Sequence, residues 1–424
     1  MTHWPKYAII SHNRNVKKVQ KSMQKADRMM EVRSDIRGPL FEEALRMQRE
    51  GVPVMKLNTG NPAAFGFEMP ASIQEALRAR LTDATAYCDL RGMPEARAAL
   101  EAAYHADSVT HAKMDSIYLG NGVSELVNMS LSVILNPGDE LLMPAPCYTL
   151  WSNCARLAEA KPVFYRCDES ARWQPDLDDL RAKITARTRG IVVINPNNPT
   201  GVVYPRETLE AIVQIARENK LILFADEIYS RLVMDGKPFT YLASLADDVP
   251  ILSYGGLSKS HVVCGMRCGW LLVTGPETLT HDIETGLTQL ASMRLCGNTM
   301  AQLAVPAALA DREYTLSMIQ PGGRLYEQRE ATMRALDKIE GLSCVRNDAA
   351  FYVFPRIDLN RIPIDDDRDF LLDLLHETHV LMVPGSGFEW DAPDHFRIVM
   401  LPRPEEITAA FARIGEFFHA HSAR

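Results

Sequence analysis

A lysine lies in a glycine-rich segment, Gly255-Gly256-Leu257-Ser258-Lys259-Ser260. Glycine has no Cβ, so the backbone on either side of this lysine can approach another group closely. The spacing excludes the Ser-x-x-Lys chemistry of some hydrolases, because Gly256 occupies the serine position. Apart from a solvated surface residue, the use that remains for Lys259 is as an amine that forms a Schiff base with a carbonyl compound.

A carboxylate follows a short apolar segment at Asp226-Glu227-Ile228-Tyr229. A charged group at the end of a buried strand is costly unless a basic or cationic partner faces it. A protonated ring nitrogen would be such a partner for Asp226. The alternative interpretation is that Asp226 caps the helix that follows.

A glycine turn opens into a predicted helix at Gly120-Asn121-Gly122-Val123-Ser124-Glu125. The first backbone N–H groups of a helix are free to bind an anion, and the helix dipole favours negative charge there. The segment is neither a dinucleotide-binding fingerprint nor a nucleophile elbow, because Leu126 stands where the elbow requires glycine. It predicts an anion site or, alternatively, a plain tight turn.

Seven consecutive turn-forming residues follow another apolar segment, at Asn195-Pro196-Asn197-Asn198-Pro199-Thr200-Gly201. Two prolines fix the backbone here, and the asparagine side chains offer donors and acceptors from a rigid position. We interpret this segment as a ligand-binding loop, although an ordinary turn has the same composition.

These four segments share a position, because each follows a predicted strand. Short apolar runs rich in β-branched residues predict seven strands: Ser116 to Leu119, Glu140 to Met143, Val163 to Tyr165, Gly190 to Ile194, Leu221 to Ala225, Ile251 to Ser253 and Gly269 to Val273. Helical patterns lie between several of them, at Ser124 to Leu135, Tyr148 to Leu157 and Arg206 to Glu218. This alternation predicts an α/β fold with a mostly parallel sheet covered by helices. Ligands of such sheets bind beyond the carboxyl ends of the strands.

The pattern changes after about residue 310, which predicts a second, smaller α+β domain. Its predicted elements are a helix at Gly323 to Ile339, strands at Ala350 to Phe354, Val380 to Val383 and His395 to Val399, and a final helix at Pro404 to Phe418. A helix near Arg37 to Arg49 would pack against it. We therefore expect a basic N-terminal arm at 1–34, a large domain at 60–310, and a small domain formed by 35–59 with 311–424. The role of the arm and the true start stay open, because Met29 and Met30 are alternative starts.

Composition excludes several classes of protein. The 424 residues carry a formal net charge of −8, which argues against a nucleic-acid surface. No apolar run approaches the roughly 18 residues that a membrane-spanning helix needs. Eight cysteines without a Cys-x-x-Cys pair indicate reduced thiols and a cytoplasmic protein, and eleven histidines without ligand spacing predict no metal site.

The order of these segments along the chain is informative. A glycine cradle, an Asn-Pro loop, Asp-x-x-Tyr, Ser-Lys and then Arg resembles the fold type I, class I/II aminotransferases, which use pyridoxal 5′-phosphate. Within that family the sequence looks most like the bacterial glutamate–pyruvate (alanine) aminotransferases. The stretches that match are Asp35 to Pro39, Leu57 to Pro62, Gly120 to Leu126, Arg187 to Val192, Ala291 to Cys296 and Arg397 to Val399.

The resemblance implies roles for the residues around the cofactor ring. Lys259 would hold the cofactor covalently and move a proton during the reaction. Asp226 would keep the pyridine nitrogen protonated, while Asn198 and Tyr229 would bind the ring oxygen. Tyr148 would stack on the ring face.

The resemblance also implies which residues bind the cofactor phosphate and the substrate. Residues implied to hold the phosphate are Gly122, Val123, Ser124, Ser258 and Arg267, and Tyr87 would reach the phosphate of a neighbouring subunit, which implies a homodimer. Arg397 would bind the substrate α-carboxylate, with Gly60 and Asn198 beside it. The substrates implied are an L-amino acid such as alanine and a 2-oxo acid such as 2-oxoglutarate.

Two departures from the alanine enzymes bear on specificity. Ser260-His261-Val262 stands where those enzymes usually carry Thr-Tyr-Arg, and Ser34 replaces an aromatic residue. Both departures are expected near the substrate entrance. Two other functions compete with transamination: an amino acid oxidase or deaminase on the same fold, and a biosynthetic aminotransferase for another amino acid. A transcription regulator is disfavoured, because about 35 residues leave no room for an N-terminal DNA-binding domain.

Overall fold

A computed structural model describes residues 25–33 and 35–422 of the chain. Most of the basic arm expected at 1–34 lies outside these residues, and so does Ser34. The strands in chain order are β1 Met55–Lys56, β2 Ile117–Gly120, β3 Glu140–Ala145, β4 Lys161–Asp168, β5 Gln174–Pro175, β6 Thr188–Ile194, β7 Ile222–Asp226, β8 Ile251–Gly256, β9 Gly269–Thr274, β10 Leu342–Ser343, β11 Tyr352–Val353, β12 Arg356–Ile357, β13 Val380–Leu381, β14 Val383–Pro384 and β15 Phe396–Val399.

The α-helices lie between and after these strands. They are α1 Pro39–Arg49, α2 Ala71–Arg80, α3 Pro94–Ala106, α4 Val123–Ile134, α5 Leu150–Leu157, α6 Leu177–Ala182, α7 Arg206–Asn219, α8 Leu257–Ser260, α9 Glu277–Met293, α10 Thr299–Leu303, α11 Val305–Ala310, α12 Arg312–Ile319, α13 Arg324–Leu336, α14 Asp367–Thr378 and α15 Pro404–His421. Across residues 25–33 and 35–422, no helix combines the length and the apolar character needed to cross a membrane.

The central sheet has the strand order β2-β9-β8-β7-β6-β3-β4-β5. Its middle strands pair in parallel, whereas β9 is antiparallel to both of its neighbours. All seven strands predicted from the sequence are present, which confirms the α/β fold class. The additional strand, β5, has two residues and pairs only with β4. It is too short to leave a periodic signal in the sequence.

Strand β6 shows why the sheet is buried on both faces. Ile191 and Val193 belong to one hydrophobic cluster, while Val192 and Ile194 belong to another. Successive side chains of a strand point to opposite faces, so a continuous apolar run fills two cores at once. Helices cover both faces, as the alternation of elements predicts.

A further hydrophobic cluster lies apart from the sheet. It joins apolar residues of α1 and Leu57 to apolar residues of α13, α14 and α15. Strand β15 pairs antiparallel with both β11 and β14 beside it. A core shared by the segments 40–57 and 331–418 supports our proposal of a small domain built from both ends of the chain.

The register of the parallel strands brings their carboxyl ends together. Ile194 at the end of β6 lies opposite Asp226 at the end of β7, and Asp226 lies opposite Tyr254 of β8. The segments that follow these strands are therefore neighbours in space. They include the Asn-Pro loop after Ile194 and the glycine-lysine segment after Tyr254.

Candidate active site

A cavity of about 170 Å³ lies at this edge of the sheet. Eleven of the residues singled out from the sequence line it: Gly60, Val123, Ser124, Tyr148, Asn198, Asp226, Tyr229, Ser258, Lys259, Arg267 and Arg397. They come from segments that span most of the chain. The structure therefore places the predicted ring, phosphate and carboxylate residues around one space.

Lys259 lies on α8, the single helical turn that follows β8. Its Nζ donates a hydrogen bond to the Gly60 carbonyl oxygen over 3.0 Å, and the Sγ of Cys264 lies 4.0 Å away. Burial by itself lowers the pKa of the Lys259 amine, but nearby ionisable groups, of which Tyr352 has the largest effect, raise the pKa above its ordinary value. The amine is thus held in the cavity by one neutral acceptor.

Asp226 is buried at the end of β7. Its Oδ2 accepts a hydrogen bond from the indole Nε1–H of Trp151 over 2.9 Å. Burial raises the pKa of Asp226, and the Trp151 donor opposes that shift. The next helical segment, Ser230–Leu232, has Tyr229 as its N-cap residue. Asp226 therefore does not cap it, and its carboxylate is available to a cation in the cavity.

Two aromatic hydroxyl groups meet in the cavity that Asn198 also lines. The Tyr229 hydroxyl donates a hydrogen bond to the Tyr352 hydroxyl over 3.0 Å, and burial raises the pKa of Tyr229. The Asn-Pro loop is braced by its other asparagines: Asn195 Oδ1 accepts from the backbone N–H of Tyr204, and Asn197 Oδ1 accepts from Thr200. This division of roles leaves the Asn198 side chain to face the cavity.

Arg397 is a buried cation on β15, with 2% of its surface exposed. It donates hydrogen bonds to Asn198 Oδ1 over 3.2 Å and to the Asn58 carbonyl oxygen, and its guanidinium lies over the rings of Tyr352 and Phe388. Burial lowers the pKa of Arg397. None of the described residues accepts a hydrogen bond from its buried Nε. A buried, incompletely satisfied guanidinium in a cavity is suited to a carboxylate.

The predicted phosphate cradle depends on a glycine. Gly122 has φ +84° and precedes the twelve-residue helix α4. A Cβ at this position would lie 2.2 Å from Nη2 of Arg267, so a side chain here would displace the arginine. Arg267 donates to the carbonyl oxygens of Asn121 and Cys264. The helix N-terminus and the guanidinium thus face the same corner of the cavity as Ser124 and Ser258.

Tyr87 is a predicted site residue that the structure does not bring to the cavity. It has 78% of its surface exposed and does not line the space around Lys259. Within one chain, Tyr87 contributes nothing to the cavity. An exposed position is consistent with its expected role toward a neighbouring subunit.

The expectation that the Ser260-His261-Val262 departure lies at the substrate entrance is wrong. None of these three residues lines the cavity, and all are buried. His261 binds Ser260 Oγ through Nδ1 and the Ala308 carbonyl oxygen through Nε2. Lys259 points into the cavity, and the short helix turns the next residues toward the core.

Sequence reasoning missed three polar contributors to the site. Tyr352 and Cys264 line the cavity, and Trp151 binds Asp226. Trp151 lies three positions after Tyr148 in a predicted helix, but its spacing gave no sign that the indole N–H would reach Asp226, which is 75 positions further along the chain. Cys264 was visible as the residue five positions after Lys259, a separation that one short helix and a turn bring back to the lysine.

Comparison with known proteins identifies the class of enzyme that this fold and site define. Residues 52–414 match the family model described as aminotransferase class I and II. The chain belongs to that family. It is an aminotransferase of the α/β, fold type I class and depends on pyridoxal 5′-phosphate.

Individual proteins of this family are similar to the chain over nearly its whole length. The chain is 46% identical to the glutamate-pyruvate aminotransferase AlaA of Escherichia coli strain K12, over 94% of this chain and 98% of that protein. It is 43% identical to an alanine aminotransferase of Mycobacterium tuberculosis strain H37Rv, over 98% and 96%. A crystal structure of an aminotransferase from Escherichia coli superposes with a TM-score of 0.93, at 46% identity, over 95% of this chain and 100% of that one. An alanine aminotransferase from Pyrococcus furiosus gives 0.89 at 35% identity, over 94% and 100%.

The residues around the cavity fit this cofactor. The Gly122 cradle and Arg267 suit a phosphate, the buried carboxylate of Asp226 suits a protonated ring nitrogen, and Lys259 supplies an amine. When bound, the cofactor supplies a conjugated ring that accepts the electron pair left at the substrate Cα after deprotonation.

Proposed function

We propose that this enzyme transfers an amino group between L-alanine and 2-oxoglutarate, giving pyruvate and glutamate. The observation that carries the proposal is Arg397, a buried guanidinium whose Nε bonds to none of the described residues and which lines the same cavity as the Lys259 amine. The names of relatives at 43–46% identity support these substrates. Alanine, glutamate and both oxo acids share the carboxylate that such an arginine binds.

The chain's own residues hold the cofactor in this proposal. Asp226 would keep a proton on the ring nitrogen by pairing with it, and the Trp151 N–H favours the ionised form of Asp226 that this role needs. Asn198 and Tyr229 would bind the ring oxygen, and Tyr148 would cover the ring. Gly122, Val123, Ser124, Ser258 and Arg267 would hold the phosphate.

Lys259 has two roles in this proposal. Its Nζ would hold the cofactor and, as a free amine, would take the proton from the substrate Cα. The Gly60 carbonyl oxygen, 3.0 Å from Nζ, holds the amine in the cavity. Gly60 has no side chain because a Cβ there would lie 2.1 Å from the Tyr352 hydroxyl oxygen.

Substrate binding combines a charge anchor with apolar walls. Arg397 takes the α-carboxylate, with Asn198 fixing the guanidinium and Gly60 leaving room beside it. Ile36, Leu150 and Ile228 also line the cavity. These apolar side chains suit a short apolar substrate side chain such as the methyl group of alanine.

We further propose that the enzyme is a cytoplasmic homodimer in which Tyr87 reaches the phosphate held by the partner subunit. Tyr87 is exposed, as are the apolar side chains of Leu295 and Met300. Cys88, which follows Tyr87, contacts Gln302, two positions after Met300, so these exposed side chains belong to adjoining segments that a partner subunit can cover. All eight cysteines are free, which supports a reducing compartment.

The specificity proposal can be tested with half-reactions. Holoenzyme is incubated with each amino acid singly, and the loss of the aldehyde form of the cofactor is followed by its absorbance. We expect alanine and glutamate to react and amino acids with large side chains to react much more slowly. Reaction with other amino acids and none with alanine would contradict the specificity while leaving the reaction class intact.

A further inference from the structure

A buried histidine lies just before strand β15, two residues ahead of Arg397. His395 has 1% of its surface exposed and does not line the cavity around Lys259. Aromatic side chains pack against its ring: the ring of Phe354 is stacked on it with centroids 4.8 Å apart, and the ring of Trp173 lies edge-on at 5.2 Å. None of the roles proposed above for the cofactor or the substrate uses this histidine.

Each ring nitrogen of His395 faces a carboxylate. Nδ1 lies 2.8 Å from Oδ1 of Asp394, within hydrogen-bond distance, and Nε2 lies 3.5 Å from Oε1 of Glu169. A neutral imidazole carries one N–H group, whereas the protonated ring carries two. In a neutral ring, one nitrogen would turn its lone pair toward a carboxylate. The arrangement therefore favours the protonated form of His395.

The two carboxylates share a second cation. Nε of Arg356 lies 3.3 Å from Oδ2 of Asp394, and its Nη1 lies 3.4 Å from Oε2 of Glu169. The side chain of Arg356 is half exposed, whereas those of the two carboxylates are largely buried. Two cations and two anions thus alternate in a closed cluster. His395 is the member of this cluster that can lose its charge near neutral pH.

The cluster joins strand β15, which carries Arg397, to the central sheet. Glu169 begins the short helical segment directly after β4, whereas His395 directly precedes β15. Arg356 pairs with His395 in an antiparallel bridge, so it belongs with β15 rather than with the sheet. Glu169 is therefore the carboxylate through which the central sheet holds His395.

Aromatic contacts also connect His395 to the guanidinium of Arg397. The ring of Phe354 packs edge to face against Phe388, with centroids 6.1 Å apart, and Cζ of Arg397 lies 4.7 Å from the Phe388 centroid. The backbone adds a second connection, because the His395 carbonyl oxygen accepts a hydrogen bond from the N–H of Gly385. Gly385 is the first residue of the helical turn that ends at Phe388. The position of His395 therefore bears on the position of Arg397.

We propose that protonated His395 is a positioning residue for the substrate carboxylate, because its contact with Glu169 holds the strand of Arg397 against the central sheet. The proposal rests on the proposed role of Arg397 as the carboxylate anchor. Loss of the proton leaves Glu169 facing an uncharged nitrogen, so the strand is held less firmly and the substrate binds less tightly. The chemical step depends on Lys259 and the cofactor and does not follow this proton.

The direction of the pH dependence follows from the cluster. Burial lowers the pKa of His395, but its contacts with Asp394 and Glu169 outweigh burial and raise the pKa above its ordinary value of 6.5. The ring is therefore protonated at pH 6.5 and loses its proton as the pH rises further. KM for the oxo acid should increase about fivefold over that rise, while kcat does not follow the same titration. The oxo acid is the informative substrate, because it carries no amine and its carboxylates stay ionised.

Two substitutions should move this pH dependence in opposite directions. Glu169→Gln removes an anion that faces His395, so the increase in KM should begin roughly one pH unit lower. Arg356→Gln removes a cation that shares both carboxylates with His395, so the increase should begin at higher pH. Glu340→Gln removes an exposed ion pair with Arg361 over 3.0 Å and, as the control, should keep the wild-type profile.

Steady-state kinetics of each holoenzyme, at pH values below and above neutrality, give KM and kcat for these comparisons. His395→Gln should show the raised KM at every pH. A merely structural role would raise KM equally at all pH values in Glu169→Gln and Arg356→Gln without shifting the profile, and that result overturns the proposal. A wild-type KM that does not change with pH, or a His395→Gln variant that keeps the wild-type profile, also overturns it.

Failure of the proposed function gives a different result. It appears as a wild-type enzyme that does not react with alanine and 2-oxoglutarate, or as an Arg397→Gln variant with unchanged kinetics. The shifts between wild type, Glu169→Gln and Arg356→Gln are measured with any oxo acid that the wild type accepts. They therefore test His395 separately from the identity of the substrates.

Discussion

Nη1 of Arg397 donates a hydrogen bond to Oδ1 of Asn198 over 3.2 Å, although 199 positions separate the two residues. The bond connects β15 to the loop that follows β6 in the central sheet. Through it, the group proposed to bind the substrate carboxylate is fixed against the group proposed to bind the cofactor ring. In these proposed roles, the contact links the position of the substrate carboxylate to that of the cofactor ring.

Replacing Arg397 tests the carboxylate anchor. We expect Arg397→Gln to raise KM for both the amino acid and the oxo acid, because both carry the same carboxylate. Hydrogen bonds to charged groups contribute roughly 1.5–3 kcal/mol, so kcat/KM should fall at least about tenfold. Steady-state kinetics with each substrate measure this. Unchanged kinetics in the variant would move the carboxylate site elsewhere.

Replacing Lys259 tests the covalent link. Lys259→Ala should have no turnover, because among the described residues no other lysine lines the cavity, yet it should still bind the cofactor non-covalently through the residues proposed to hold its phosphate. Borohydride treatment of wild type, followed by peptide mapping, should place the label on Lys259. A label on another lysine would refute the assignment.

Replacing Trp151 tests whether its indole N–H keeps Asp226 ionised. The indole N–H stabilises the ionised carboxylate, so Trp151→Phe should raise the pKa of Asp226 further above its ordinary value. A protonated Asp226 cannot pair with a protonated ring nitrogen, so the acid limb of the pH profile of kcat should move to higher pH. Trp390→Phe removes a similar bond to Asp394 outside the cavity and serves as the control. Equal shifts in both variants would argue against the role of Trp151.

His261 should make stability depend on pH. Burial lowers its pKa to about 4, whereas an unfolded histidine titrates near pH 6.5. Between these pH values the unfolded chain binds a proton at His261 that the folded chain does not bind. The contribution of neutral His261 to the free energy of unfolding is therefore complete above about pH 6.5 and is lost as the pH falls toward 4. At about 1.36 kcal/mol per pKa unit, the loss is roughly 3 kcal/mol.

Urea unfolding of wild type and His261→Gln at pH 7.5 and pH 5 measures this effect. The difference between the two pH values should be smaller in the variant than in wild type. His419→Gln, at an exposed position on α15, should behave as wild type. An unchanged pH difference in His261→Gln would contradict the assignment.

The sequence predicts the site where local rules apply. Turn-forming and charged residues at the ends of apolar runs located Asn198, Asp226 and Lys259, because parallel strands bring their carboxyl ends together. The sequence does not reveal Trp151 or Tyr352, since their contacts depend on how a helix and a distant strand pack. For the same reason the sequence does not reveal that His261 is buried away from the cavity, because the turn of α8 decides the direction of its side chain.

The most direct test of the account is a complete reaction with L-alanine and 2-oxoglutarate. We predict pyruvate and glutamate in equal amounts, at a rate that does not change when air is removed, and a single turnover when the oxo acid is omitted. A transaminase needs the oxo acid to regenerate its cofactor, whereas an oxidase passes electrons to dioxygen. Sustained product formation from alanine alone, with uptake of oxygen, would contradict the account.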